Sequence, residues 1–139
     1  MPATEALLLD THAWVWFAIG DVRLKPKTIE AVQAAGRQGK LYLAAISLWE
    51  VAMLAAKGRI ELGTQTENWL LEASLRTSVT VVPLDAAIAA SSCAIELPQG
   101  DPADRMIVAT ALKLGASVLT ADEQIQAYAK RLQLNIIKP

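Results

Sequence analysis

Short apolar runs alternate with longer segments of helical character along the chain. Five runs, which we interpret as β-strands, span residues 6–10, 41–45, 80–84, 117–120 and 135–138. A short apolar run bounded by turn residues is typical of a buried strand in a parallel sheet. The first run contains Leu7, Leu8 and Leu9 in succession, so this strand is expected to lie in the middle of the sheet.

The segments between the strands predict seven helices, at residues 11–19, 26–38, 47–57, 67–77, 86–97, 102–114 and 122–132. Two of these begin at a proline and stop at a glycine, which is the usual asymmetry of helix ends. Strands that alternate with helices predict an α/β fold, with a mostly parallel five-stranded sheet covered on both faces. A length of 139 residues suits one domain that spans 1–139.

Composition narrows the class of protein. Hydrophobic residues make up 53% of the chain and the mean hydropathy is +0.31, which indicates that some apolar surface is buried against a partner. No uncharged run exceeds about ten residues, whereas a membrane span needs roughly 18, so we expect no membrane association. No basic region precedes Leu7 as in a signal peptide, and the single cysteine, Cys93, excludes an internal disulfide. These features predict a cytoplasmic protein in which Cys93 is a small buried side chain.

The charge balance of the chain limits the ways in which it could bind a nucleic acid. Thirteen basic and 14 acidic residues give a formal net charge of −1. The chain therefore lacks the overall basic field of many DNA-binding domains. Contact with nucleic acid would require a local basic patch or a metal ion.

Several acidic residues occur at positions that lead to one edge of the predicted sheet. Asp10 ends the first strand, and Glu50 lies early in the helix after the second strand. Asp101 and Asp104 flank the start of the helix that feeds the fourth strand, and Asp122 follows that strand. Open α/β sheets bind ligands at the carboxyl ends of their strands. We therefore expect these carboxylates to converge at that edge.

Helix capping is the alternative role for three of these acids. Ser47 and Glu50 fit a capping box, Asp101 precedes a proline as an N-cap does, and residues 120–123, which include Asp122, fit another capping box. An acid in a first helical turn gains about 0.3–1 kcal/mol from the helix dipole. Each of these positions taken alone favours capping, whereas their convergence favours a functional cluster.

A cluster of carboxylates persists only where a cation resides, because like charges repel. Helix capping alone does not explain why a carboxylate, that of Asp10, directly follows three leucines. With oxygen ligands and only one histidine, His12, the cluster suits Mg²⁺ or Mn²⁺ rather than zinc. Such a site is typical of phosphoryl chemistry. The lone histidine argues against a Ser-His or Cys-His nucleophile.

Four short segments resemble the acidic motifs of PIN domains, and more closely those of VapC-type toxins of bacterial toxin–antitoxin pairs. They are LLDTH at 8–12, SLWEV at 47–51, DPADR at 101–105 and LTAD at 119–122. The resemblance implies an α/β/α sandwich and a metal-dependent ribonuclease that cuts single-stranded RNA. It assigns the catalytic, metal-binding acids to Asp10, Glu50, Asp104 and Asp122.

The mechanism expected from this resemblance is in-line attack of a metal-activated water on an RNA phosphodiester. Asp10, Asp104 and Asp122 would hold one or two Mg²⁺ or Mn²⁺ ions, and Glu50 would ligate an ion or orient the water. The family implies products with a 5′-phosphate and a 3′-hydroxyl.

Neighbouring residues are expected to assist. Thr11 and Thr120 would hydrogen-bond a carboxylate or a metal-bound water. Asp101 would be a helper or an N-cap, Arg105 would contact a phosphate or pair with an acid, and Ser47 would be a cap.

Two further surfaces follow from the sequence. Lys57 and Arg59 could contact RNA phosphates, or could only complement the dipole at a helix C-terminus. The resemblance also implies a homodimer and a groove for a VapB-type antitoxin. Several apolar side chains on two predicted helices could line that groove or belong to the core: Trp14, Val15, Trp16, Phe17, Trp49 and Met53.

Two other classes of protein remain as alternatives. A receiver-like phosphoacceptor domain would have adjacent acids at the first strand and a lysine after the last strand, but only Asp10 is present, and Lys138 lies one residue from the chain end. A catalytically silent PIN-like binding module would have lost acids, whereas all four are present. Metal-dependent cleavage would separate these hypotheses.

Overall fold

The computed structural model describes residues 5–98 and 100–139, which form five strands and seven helices. In chain order the elements are β1 (Leu7–Leu9), α1 (Thr11–Ile19), α2 (Pro26–Arg37), β2 (Leu41–Ala44), α3 (Ala45–Ala56), α4 (Thr66–Arg76), β3 (Thr80–Val82), α5 (Ala86–Ala94), α6 (Pro102–Leu114), β4 (Ser117–Leu119), α7 (Glu123–Leu132) and β5 (Ile136–Ile137).

The strands form one sheet in the order β3-β2-β1-β4-β5, and every pairing is parallel. β1 is the central strand, and its Leu9 is in register with Leu43 of β2 and Leu119 of β4. The predicted α/β fold with a parallel five-stranded sheet is confirmed. The strand order also rules out the receiver-like alternative, because receiver domains have the order 2-1-3-4-5.

Successive side chains of a strand point to opposite faces of the sheet. The apolar strands therefore place apolar side chains on both faces, and helices cover both. Leu7 and Leu9 belong to a core that includes Trp14 of α1. Leu8 belongs to the opposite core, with Ile107 of α6. The two cores make the molecule a three-layered α/β/α sandwich, with the carboxyl ends of all five strands at one edge.

Three helices begin at residues other than those predicted, and one of them, α4, differs only in starting at Thr66 instead of residue 67. α3 starts at Ala45, directly after β2, so Ser47 lies inside the helix and caps nothing. α7 starts at Glu123 with Asp122 as its N-cap, so Thr120 is not the first residue of a capping box. Both capping boxes are therefore wrong. β2 ends at Ala44 and α3 begins at the next residue, so no glycine or proline marks where the strand becomes a helix.

The position of Cys93 also differs from the prediction. Cys93 is exposed, whereas Ile88 and Ser92 are the buried residues of α5. Successive helix positions are separated by about 100°, so the residue after Ser92 faces a different side.

Within 5–98 and 100–139, the chain has no helix of the length and apolarity that a membrane span requires.

Candidate active site

A cavity of about 380 Å³ opens at the carboxyl edge of the sheet. Five carboxylates line it, from the end of β1, from α3, from the start of α6 and from the β4–α7 junction: Asp10, Glu50, Asp101, Asp104 and Asp122. The expected convergence of these acids is therefore present in the structure. Its remaining lining residues are Thr11, His12, Trp16, Ile107 and Ala121.

Asp10 follows β1 and is the N-cap of α1. One carboxylate oxygen accepts a hydrogen bond from the backbone N–H of Ala13 at 2.9 Å, and the other accepts one from the hydroxyl of Thr120. Burial raises the pKa of Asp10 above its ordinary value, while the bonds from Thr120 and Ala13 oppose that rise. Two donors thus hold this carboxylate in place at the centre of the sheet edge.

Glu50 lies in the second turn of α3 and is buried, with 8% of its surface exposed. The hydroxyl of Thr11, the first residue of α1, is hydrogen bonded to a carboxylate oxygen of Glu50. Thr11 is also hydrogen bonded to the hydroxyl of Ser47 at 2.9 Å. Because β1 and β2 are adjacent and in register, the helices that follow them start side by side.

Asp101 and Asp104 occupy the start of α6. Asp101 is the N-cap, and its carboxylate accepts a hydrogen bond from the backbone N–H of Asp104 at 2.9 Å, as predicted for a cap. The pKa of Asp104 is raised to about 7, first by burial and then by repulsion from Asp101, Asp122 and Glu50. Asp104 is therefore the carboxylate on which the crowding of negative charge has the clearest effect.

Asp122 caps α7 by accepting a hydrogen bond from the backbone N–H of Ile125 at 2.9 Å. Its own backbone N–H donates to the hydroxyl oxygen of Thr120 at 3.0 Å. Thr120 is fully buried and donates to Asp10, so one hydroxyl links the carboxylate of Asp10 to the backbone N–H of Asp122.

Three basic residues that the sequence placed near the site lie outside this cavity. The guanidinium of Arg105 donates to the backbone carbonyl of Leu97 at 3.0 Å. Lys57 and Arg59 are exposed at the C-terminal end of α3, with Lys57 about 10 Å along the helix axis from Glu50. The hydrogen bond of Arg105 connects α6 to Leu97, whereas Lys57 and Arg59 face solvent.

Three residues around the acids have weak sequence signals for their positions at the site. His12 and Trp16 line the cavity on α1, with ring centroids 6.3 Å apart. Their spacing of four residues on a helix is the signal that could have placed them together. The sequence around Ser47 predicts a helix cap, and no local signal indicates its contact with Thr11.

The donor set fits a hard divalent cation in its chemistry. All five acids offer oxygen, which Mg²⁺ and Mn²⁺ prefer, and the repulsion that acts on Asp104 would be relieved by positive charge. Among the described residues, no three histidine, cysteine, aspartate or glutamate side chains already form a metal ligand group.

Fold and site together place the protein in a known family. A family model described as "PIN domain" matches residues 7–131, and the chain belongs to the PIN domain family. A relative of known sequence is Ribonuclease VapC22 of Mycobacterium tuberculosis, which is 35% identical over 125 residues, covering 88% of this chain and 91% of the relative.

Solved structures agree on the fold. VapBC2 from Rickettsia felis, crystallised with a DNA fragment from its promoter, superposes with a TM-score of 0.69 at 16% identity, covering 96% of this chain and 98% of the other. VapBC-1 from nontypeable Haemophilus influenzae gives a TM-score of 0.60 at 19% identity, with coverage of 95% and 96%. The predicted PIN-like sandwich is thereby confirmed.

Proposed function

We propose that this chain is a metal-dependent endoribonuclease that acts as the toxin of a VapBC-type toxin–antitoxin pair. The observation that carries the proposal is the convergence of five carboxylates in one cavity of a PIN domain. A relative named as a ribonuclease, at 35% identity over most of both chains, supports the reaction class. We take residues 1–139 as a single PIN domain.

Asp10, Glu50, Asp104 and Asp122 would hold Mg²⁺ or Mn²⁺. The cation, when bound, supplies activation of water and neutralisation of charge on the phosphate. Glu50, held by Thr11, orients the attacking water and accepts its proton. The water oxygen bonds to phosphorus as the bond to the 3′ oxygen breaks, and that oxygen leaves as a hydroxyl after taking up a proton from solvent. The products are a 5′-phosphate and a 3′-hydroxyl.

The proposed protein partner is a VapB-type antitoxin. A second, mainly apolar cavity of about 360 Å³ shares Glu50 and Asp101 with the acidic one and is lined by Ile46, Trp49 and Met53. Trp49 is 57% exposed, whereas Trp14 is fully buried in the core. We propose that an antitoxin segment covers this cavity, that the toxin is a homodimer, and that the complex is cytoplasmic.

Cleavage of an end-labelled RNA tests the enzymatic proposal. Purified protein should cut the RNA with Mn²⁺ or Mg²⁺ and should not cut it with EDTA. Product ends can be identified by ligation, which distinguishes a 5′-phosphate from a 5′-hydroxyl. Cutting that persists in EDTA would contradict the metal dependence, and absence of cutting across many RNAs would favour the silent binding module.

Metal binding should also stabilise the fold. A ligand that binds only the folded state at 100 times its Kd adds about 2.7 kcal/mol, which raises the Tm of a domain of this size by about 10 °C. We expect Mn²⁺ to raise the Tm in differential scanning fluorimetry, with Ca²⁺ and K⁺ as comparison cations. A melting curve that is indifferent to Mn²⁺ would count against the site.

Lys57 and Arg59 are proposed to contact RNA phosphates beyond the acidic cavity. Replacing both by alanine should weaken RNA binding and reduce the slope of log K against log salt by about 1.4, because each phosphate contact on a single strand contributes about 0.7. Fluorescence anisotropy at several salt concentrations measures this slope. Lys25→Ala with Lys27→Ala, at the exposed start of α2, provides the matched control. An unchanged slope in the first variant would exclude the patch.

A further inference from the structure

Ser47 lies inside the protein next to the acidic cavity and is not a helix cap. It is the third residue of α3, and none of its surface is exposed. Its hydroxyl oxygen lies 2.9 Å from the hydroxyl oxygen of Thr11, which belongs to α1. The contact therefore joins the first turns of two helices.

The hydrogen bonds around Thr11 have a defined direction. Its hydroxyl contacts both Ser47 and Glu50, but a hydroxyl carries one proton. An ionised carboxylate only accepts, so Thr11 donates to Glu50 and accepts from Ser47. The three side chains form a chain that ends on the carboxylate of Glu50, and each bond in such a chain strengthens the next.

This arrangement differs from that of three other buried hydroxyls, which lie in helices or at a helix end. Thr77 and Thr110 donate to the carbonyl four residues earlier, at 2.6 and 2.7 Å. Ser92 donates to the carbonyl three residues earlier, at 2.8 Å. Such local bonds satisfy a buried hydroxyl without any role at a site. Ser47 instead bonds to a side chain of another helix, and that side chain holds Glu50.

We propose that Ser47 is a positioning residue that acts through Thr11 to fix the carboxylate of Glu50 and thereby strengthens divalent-cation binding at the acidic cavity. The proposal rests on the proposed function. Partners of metal ligands commonly contribute 10–100-fold to metal affinity. A residue one bond further out should contribute about tenfold or less.

The first test measures Mn²⁺ binding without using activity. The Tm is followed as a function of Mn²⁺ concentration for wild type and for two variants, Ser47→Ala and Ser92→Ala. Each variant loses one buried helical hydroxyl. We expect Ser47→Ala to raise the apparent Kd for Mn²⁺ about five- to tenfold, and Ser92→Ala to leave it within twofold of wild type. Ser47→Cys, which keeps the volume and a weak donor, should fall between and serves if Ser47→Ala does not fold.

A double-mutant cycle tests whether Ser47 acts through Thr11. Thr11→Val removes the hydroxyl with little change in shape and should raise the apparent Kd by about 10–100-fold. Adding Ser47→Ala to Thr11→Val should change the Kd no further, because the chain to Glu50 is already broken. Effects of the two changes that multiply would show that Ser47 acts independently and would overturn the proposal.

Failure of this proposal differs from failure of the proposed function. If wild type shows neither a Mn²⁺-dependent Tm nor metal-dependent cleavage, the proposed function is wrong. If wild type shows both, and Ser47→Ala binds Mn²⁺ as wild type does, only the positioning role is wrong.

Discussion

Replacement of Asp10 by asparagine is expected to lower metal-dependent RNA cleavage by more than about 100-fold, because even partners of metal ligands are worth 10–100-fold and Asp10 is proposed as a ligand itself. The asparagine keeps an oxygen that can accept the hydrogen bond from Ala13, and asparagine is as good an N-cap as aspartate, so the fold should persist. Initial rates on an end-labelled RNA at saturating Mn²⁺ measure the effect.

Asp85→Asn is the matched control for this substitution. Asp85 is also an N-cap aspartate that accepts from the backbone N–H three residues later, at 2.8 Å, but it caps α5 and pairs with Lys113 away from the cavity. Its cleavage rate should stay within about twofold of wild type, because Asp85 does not line the acidic cavity and exposed ion pairs contribute little to stability. Equal cutting by wild type and Asp10→Asn would show that the measured activity does not come from the assigned site and would identify a contaminating nuclease.

Replacement of Asp104 by asparagine should stabilise the metal-free protein at pH 8. Burial and the neighbouring acids raise the pKa of Asp104 to about 7, so the charged form is unfavourable in the folded state. Because Asp104 is only half-buried, solvent screening reduces the gain to about 1–2 kcal/mol. We expect the Tm in EDTA to rise by about 5 °C, whereas cleavage by this variant should fall.

The raised pKa of Asp104 determines how the stability of the folded state changes with pH. Between the ordinary value of 3.8 and about 7, the folded state binds more protons than the unfolded state, so stability falls as pH rises. Below pH 4 both states are protonated and the penalty is absent, and above pH 7 it is complete. The advantage of Asp104→Asn should therefore be small at pH 4.5 and full at pH 8.

Asp85→Asn again provides a comparison, with the opposite expectation. The hydrogen bond from Lys113 lowers the pKa of Asp85, so its charged form favours the folded state and its replacement should not raise the Tm. If Asp104→Asn lowered the Tm at pH 8 as well, the carboxylates would not be crowded in the metal-free protein.

The element order and the acidic edge could be predicted from the sequence. Runs such as Leu7, Leu8 and Leu9 require burial on both faces, and that requirement is local and readable. In a parallel sheet all strands end at one edge, so acids that follow strands or begin helices converge regardless of their separation in sequence. Asp10, Glu50, Asp104 and Asp122 were placed in this way.

The tertiary structure alone decided which partners the side chains around those acids contact. Ser47 fits a capping box by its sequence, but α3 begins two residues earlier and turns the hydroxyl toward Thr11. Arg105 lies next to Asp104 in sequence, yet its guanidinium contacts the carbonyl of Leu97, because neighbours on a helix point about 100° apart. The raised pKa of Asp104 likewise depends on distances between chain segments. A local pattern determines which element forms, whereas hydrogen bonds and charge repulsion between elements depend on how those elements pack.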